Sequence, residues 1–536
     1  MLASIFQRMK TLEFPENNYR LAFLVILLGV VIRLFACEYT YIINSDGVLY
    51  VHQARALYYN NIDSLYNCGV SYLSIYPQLI AFLYPLTGDF LTAAITVSCF
   101  FGCLTLLPIY FLTRRFFSVQ TSTLVTLIYA LLPVFVARSA DVLRGPVCWF
   151  FLAMGILTFI QYIDHRKWGF LLLSFVCFFC STWARIEAIV SFPSMFLYLF
   201  IVANNKKSVF IKCCGIAAVI IVISIFLELV WGISVHHFYR IDEIGTKFSE
   251  PLNRYEYLRS LLKEISHKNR FGFLDNFIIN ARHQIHFVAL GALINNACEA
   301  FFYPFIIFFI AGLFHIRKKV KEDPRLWFFL IMSVSSFCIV FVHIIHSWMI
   351  EYRYFALAIV STSVFAAFGI ESGKKFLSNY FKMKPGSAVV CICLFILVFG
   401  LGKNLKSREE DKYIYRLMGE TIEKIEQSNQ PVFVATLLVS SVSEKVHFYA
   451  NRSYQGAICS RQRIDFQTLA GNSYTNLVDQ LKRHNVHYFL WEKRWWPEEW
   501  FDFRTSYHKK DFIQMMRFQE SGDDRIILYK LINTHG

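Results

Sequence analysis

Just outside the first apolar run stands Asn44-Ser-Asp-Gly-Val-Leu-Tyr-Val-His-Gln-Ala-Arg-Ala-Leu57, with Asp46 at the water–membrane boundary. A carboxylate there has two uses: capping the orphan N–H groups of a helix, or taking a proton from a reacting hydroxyl. Tyr50, Ala54, Leu57 and Tyr58 share one stripe, so the spacing predicts a short amphipathic helix against the bilayer with Asp46 at its mouth. The reciprocal capping partner is missing, because Leu49 stands three places on. A second acid, Asp141 in Ser139-Ala-Asp-Val-Leu-Arg-Gly-Pro146, occupies the next outer loop.

Guanidinium groups gather at the same depth. Arg33, Arg138 and Arg144, Arg185 and Arg353 sit at or just within the outer ends of separate apolar runs. Ionisable groups at membrane depth are costly and point to function. Ordinary pairs would absorb some of them: Arg185 with Glu187, Arg33 with Glu38, Asp141 with Arg144 one turn on, plus snorkelling to headgroups. Five guanidinium groups still outnumber the carboxylates available. An anionic ligand such as a lipid phosphate or pyrophosphate would take up the surplus. Asp46 and Asp141 are the candidate working carboxylates, and the arginines at this depth are the candidate ligands for such an anion. Glu187, Tyr50, His346 and Tyr354 are candidates for further substrate contacts.

Histidines offer less. His343 and His346 lie one turn apart, as do His283 and His286, but neither pair has a placed third ligand for zinc. His236-His237 says less still, and no residue is assigned to a metal.

The elements that must hold these groups are membrane spans. The chain has 536 residues, 56% of them apolar and 17% charged, against about a quarter charged in soluble proteins. Repeated apolar runs near the length that crosses the hydrocarbon core make it a polytopic membrane protein. The first run has no small-residue cleavage site and reads as an uncleaved span. The net charge of +15 does not indicate nucleic acid, because Lys and Arg concentrate in short loops on one side, as the positive-inside rule requires. Most of the 14 cysteines lie in apolar runs, where Cys behaves as a small hydrophobe. The CxxC of Cys177 and Cys180 is one such case. Cys68 and Cys459 fall in aqueous segments, and nothing in the sequence pairs them.

Hydropathy and loop charge predict about 11 transmembrane helices: 21–37, 90–113, 119–137, 146–163, 168–184, 187–203, 209–232, 299–315, 326–346, 354–371 and 387–402. A piece from Tyr76-Pro77 to about Leu86 is too short to span and reads as interfacial or re-entrant. Residues 1–402 form the membrane part, with a first outer loop at 38–88 and a large outer segment at 233–298. Residues 403–536 read as a small C-terminal α/β extracytoplasmic domain: helices at 411–427 and 474–484, and strands at 432–435, 486–491, 512–518 and 525–531. It has neither GxGxxG nor a P-loop. The N-terminus is expected in the cytoplasm and the C-terminal domain outside, in a bacterial inner membrane.

These features together resemble the GT-C superfamily of polyprenyl-phosphate-sugar-dependent glycosyltransferases, and within it the protein O-mannosyltransferases and lipid A aminoarabinose transferases (glycosyltransferase family 39-like). The resemblance rests on Asp46 ahead of GVLYVHQARAL, on Tyr76-Pro77, on Asp141, on Arg185-Ile186-Glu187 where relatives often have Arg-Pro-Glu, and on Arg353-Tyr354 opening a late span. It departs at Gly47, where the protein mannosyltransferases usually carry Glu. It implies transfer of a sugar from a polyprenyl-phosphate donor to a lipid, glycan or protein hydroxyl on the outer face, with inversion. Asp46 would be the base, Arg144, Arg185 and Arg353 would hold the phosphate, and Asp141 would orient the acceptor. A divalent cation, Mg or Mn, is an option for Asp141, and no other cofactor is implied. The alternative is a transporter or flippase for a lipid-linked or anionic substrate. Transporters often show inverted repeats and matched broken helices, and neither is visible here. A non-catalytic scaffold would have no reason to gather acids and arginines at one depth.

Overall fold

The computed structural model describes residues 19–202, single positions between 211 and 229, and residues 241–268, 272–426, 430–439, 441–461, 463–506, 510–520 and 523–532. The expected span at 209–232 and His236-His237 lie largely or wholly outside them.

Among the described residues, five helices are long and apolar enough to cross a membrane: Tyr19–Glu38, Phe90–Arg114, Gly145–His165, Arg325–Ser347 and Pro385–Asn404. Three bent pairs pass the same test: Val119–Leu131 with Pro133–Ala140, Gly272–His283 with Ile285–Ala300, and Tyr352–Ser361 with Ser363–Tyr380. Trp168–Ala184, Ile186–Val202 and Ile306–Arg317 are shorter apolar helices. The Gly272–Ala300 pair is a departure from the sequence reading, which placed those residues in a large outer segment.

The bend in the third expected span has an identifiable chemistry. Pro133 has no N–H to give to the carbonyl of Tyr129, and Leu132 is extended, so the preceding carbonyls lose their helical donors. Arg33, fully buried, replaces them: Nη1 donates to the Ala130 carbonyl (3.0 Å) and Nη2 to that of Tyr129 (3.1 Å). Asn404 Nδ2 donates to the Leu131 carbonyl at 2.7 Å. Arg33 is therefore a backbone cap inside the bundle. Neither the Glu38 pair nor the anion-binding role expected for it is what these contacts describe.

Helices Ile306–Lys319 and Ser363–Tyr380 touch backbone to backbone. A Cβ on Gly312 would lie 1.7 Å from the Phe365 carbonyl oxygen, and one on Gly369 would lie 1.8 Å from that of Phe308. Small residues permit this approach, and it anchors the second half of the bent pair Tyr352–Ser361 and Ser363–Tyr380, whose first half carries Arg353.

The Ser45–Tyr58 helix corrects the expectation of an amphipathic helix on the bilayer. Gly47, Val48 and every residue from Tyr50 to Ala56 are buried. Its cap is Asn44, whose side chain accepts from the Gly47 N–H at 2.7 Å, and Asp46 stands in the first turn. The sequence reading missed the covering surface, which the C-terminal region supplies. The Ile43 N–H donates to Tyr449 Oη (2.9 Å), and Arg55 donates to the carbonyls of Asn451 (2.9 Å) and Arg452 (2.6 Å). Arg452 pairs with Asp89 at 2.8 Å, and Cys68 is disulfide-bonded to Cys459. The short helix Ile75–Thr87 leaves Phe82 and Leu86 exposed.

Beyond Asn404 the chain forms a four-stranded sheet in the order β1-β2-β4-β3. The strands are β1 Val434–Ala435, β2 Tyr488–Glu492, β3 Phe512–Glu520 and β4 Asp523–Leu531. Only the β1–β2 pairing is parallel. Helices Tyr413–Glu426 and Tyr474–Arg483 match the periodicity read from sequence. Ser441–Ala450 is a further helix, buried from Val442 to Ala450; with no solvent face it carries no amphipathic signature.

Candidate active site

Asp46 is placed by packing as much as by its helix. A Cβ on Gly47 would fall 2.7 Å from Val142 Cβ and 3.0 Å from Ile43 Cγ1. The hydrogen-only side chain lets the first outer loop close onto the second, and there is no room for the Glu that the protein mannosyltransferases usually have.

From Asp46 a line of alternating charges runs across the rim. Its carboxylate accepts from Arg353 Nη1 at 2.5 Å, and Arg353 Nη2 donates to Glu351 at 3.1 Å. Glu351 lies 3.6 Å from Arg138 Nη2, whose Nη1 donates to Asp141 at 2.9 Å. Asp141 also holds Arg408 at 3.2 Å. Arg408 itself donates to the Ala137 carbonyl. Asp46 and Asp141 thus belong to one network but differ in access. The Asp46 side chain is 41% exposed and that of Asp141 is 7% exposed. The expected Asp141–Arg144 turn pair gives way to partners at Arg138 and Arg408.

The remaining arginines close in from the other side. Arg185 pairs with Glu187 at 3.2 Å. Its guanidinium and that of Arg353 each lie 5.5 Å from the centre of the Tyr354 ring, so that ring stands between two cations. Arg144 lies over Tyr50 (5.7 Å) and Tyr72 (5.0 Å). Burial pushes the Tyr50 phenol well above its usual range, against the pull of Arg144, and keeps it a neutral donor. Asp46, Tyr50, Arg144, Arg185, Glu187, Arg353 and Tyr354 are brought together. His346 points elsewhere and pairs with Glu250 at 2.6 Å, whereas His343 packs on Tyr354 at 4.4 Å. His286 stacks on Tyr255.

Three contributors were not legible in the sequence. Tyr72 is positioned through its carbonyl, which accepts from Gln53 at 2.8 Å. Arg408, which pairs with Asp141, lines with Lys403 and Lys406 a cavity of about 410 Å³. Glu444, from the C-terminal region, pairs with Arg461 at 3.4 Å. Burial pushes its carboxyl up, against Arg461 and Lys445, and the Asp46 charge adds to the rise.

A divalent cation does not fit this arrangement. It would need several oxygen ligands free to face it, and Asp46, Asp141, Glu187 and Glu351 each have a guanidinium within ion-pair distance. No group of three or more metal-binding side chains occurs among the described residues.

Comparison with solved structures defines the class. The archaeal oligosaccharyltransferase AglB from Archaeoglobus fulgidus, in complex with an inhibitory peptide and a dolichol-phosphate, superposes with a TM-score of 0.53 at 13% identity over 87% of this chain and 69% of that one. A second structure of the A. fulgidus oligosaccharyltransferase, in complex with Zn and sulfate, gives the same score at 12% identity, over 87% and 68%. ArnT from Cupriavidus metallidurans, bound to undecaprenyl phosphate, also gives 0.53, at 11% identity over 96% of this chain and 98% of that one. The fold is shared with these two proteins, AglB and ArnT. More particularly, residues 75–231 match the family model of dolichyl-phosphate-mannose-protein mannosyltransferases. No curated protein sequence matches the chain.

Proposed function

We propose that this protein is a membrane glycosyltransferase that moves a sugar from a polyprenyl-phosphate donor to a hydroxyl acceptor on the outer face of the membrane. The observation that carries the reading is a water-reachable carboxylate, Asp46, beside three converging guanidinium groups. The acceptor hydroxyl gives its proton to Asp46 while its oxygen bonds to the anomeric carbon. The bond from that carbon to the phosphate breaks, and its electron pair leaves with the polyprenyl phosphate. Arg144, Arg185 and Arg353 bind that phosphate and stabilise the charge it gains. A phosphate is already a good leaving group, so one base suffices. A single displacement inverts the anomeric centre.

Asp141, tied to two arginines, sets the position of the rim. In this reading residues 1–402 are the catalytic membrane part, with about eleven spans, and residues 403–536 are an extracytoplasmic domain. The Cys68–Cys459 bond supports the outer placement, because disulfides persist in oxidising compartments. The fit to bacterial ArnT favours an inner-membrane setting.

The test is transfer by the purified chain from synthetic undecaprenyl-phosphate sugars. Asp46→Asn should abolish turnover and keep donor binding, and Arg185→Ala should chiefly weaken donor binding. Wild-type turnover in Asp46→Asn overturns the assignment. Comparing the surface glycans and lipids of cells with and without the gene identifies the sugar and its acceptor.

A further inference from the structure

The C-terminal region holds a cleft that the transfer chemistry does not use. Its larger part, about 1010 Å³, is lined by the loop that follows β2, with Trp491, Trp496 and Trp500 at its walls. A second hollow of about 410 Å³ shares Asp411, Tyr415 and Arg494 with it and adds Trp495, so the two run as one.

Two observations identify what such a cleft takes. The first is aromatic. Trp496 and Trp500 stand perpendicular with centres 5.7 Å apart, and Trp495 is 40% exposed. Indole faces turned to a cleft offer flat apolar platforms with polar edges, matched to the C–H faces of a pyranose ring. The second is charge. Asp411, Glu492, Glu498 and Asp502 are set against Lys493, Arg494 and Arg504, a near balance that favours neither a polyanion nor a polycation. Two of these pairs are in direct contact, Arg494 with Glu492 at 2.9 Å and Arg504 with Asp502 at 3.2 Å. Carboxylate and guanidinium side by side offer acceptors and donors at the spacing of neighbouring hydroxyls.

We propose that this cleft binds a neutral saccharide. Resting on the glycosyltransferase reading, that saccharide is the glycan part of the acceptor. Lys445 lines the smaller hollow, and the residue before it, Glu444, lies in the field of Asp46.

The experiment uses the detergent-solubilised full chain, fluorescently labelled, on a printed glycan array, followed by tryptophan-fluorescence titration with the glycan bound best. Saturable binding with a Kd of about 1 mM or tighter is expected. Trp500→Ala and Trp495→Ala should each weaken it at least about tenfold. Trp500 packs against the core, so Trp495→Ala, at an exposed position, carries the test if Trp500→Ala does not fold. Absence of any array signal overturns the proposal, as does undiminished affinity in Trp495→Ala, or saturable binding of a Ser/Thr-rich peptide in place of every glycan. The titration needs no donor, and Asp46→Asn should bind the glycan unchanged. Loss of this binding and loss of the catalytic assignment are thus separate results.

Discussion

Arg353 and Asp46 are 307 residues apart in the chain and 2.5 Å apart at the site. The contact joins the first outer loop to the start of a late membrane helix, and Tyr354 beside it faces Arg185. Arg353→Ala should cost about a hundredfold or more in turnover. Arg353→Lys should recover only part of it, because an ammonium cannot span Asp46 and Glu351 as the planar fork does. Steady-state transfer rates from a radiolabelled donor check both. Equal rates for Lys and Arg would show that only the charge matters.

Gly47 marks where the two outer loops meet. Gly47→Ala should destabilise the chain by about 1–3 kcal/mol through overpacking against Val142, and Gly47→Glu by more. Combining Gly47→Ala with Val142→Gly, which vacates the contacted carbon, should return most of the loss. Thermal midpoints of the four proteins in detergent give the answer. No recovery in the double variant would place the strain elsewhere.

His447 is buried beneath the sheet. Burial, helped by the charges of Arg55 and His487, pushes its imidazole down to about 3. Between an unfolded value of about 6.5 and that figure, the unfolded chain binds a proton the fold excludes. Stability therefore falls as the pH drops through that window, by at most about 1.4 kcal/mol per pH unit. His447→Phe should flatten the dependence. Melting midpoints at about pH 7.5 and pH 5 should differ less in the variant than in the wild type.

Arg33 caps carbonyls that Pro133 leaves bare. Arg33→Leu should cost about 1–3 kcal/mol for each buried acceptor stranded. With Pro133→Ala the straightened helix can satisfy itself, so the double variant should be more stable than Arg33→Leu alone. A strictly additive cycle would refute the pairing.

What could be read beforehand follows the range of each interaction. Spans such as Gly145–His165 and helices such as Tyr474–Arg483 announce themselves through local periodicity, and Asp46, Arg144, Arg185 and Arg353 through charge at an unusual depth. The covered Ser45–Tyr58 helix and the Cys68–Cys459 bond did not, because each depends on a surface hundreds of residues away; the Asn44 cap is local, made to Gly47 three residues on, and Asp46 stood beside it as an equally good capping residue. The buried polar residues His52, Gln53 and Arg55 were the available hint, since such groups need partners. Arg33 was misread because a guanidinium facing bare carbonyls and one facing a ligand look alike until the Pro133 break is placed.

The bond between Cys68 and Cys459 closes a ring of 391 residues around nearly the whole membrane bundle. It can be made only after synthesis has passed Cys459 and both cysteines have been delivered to the same side. Assembly is thus checked at its finish, since a chain cut short before Cys459 can never be locked. The clasp also keeps the loop bearing Asp46 from parting with the C-terminal region that covers it.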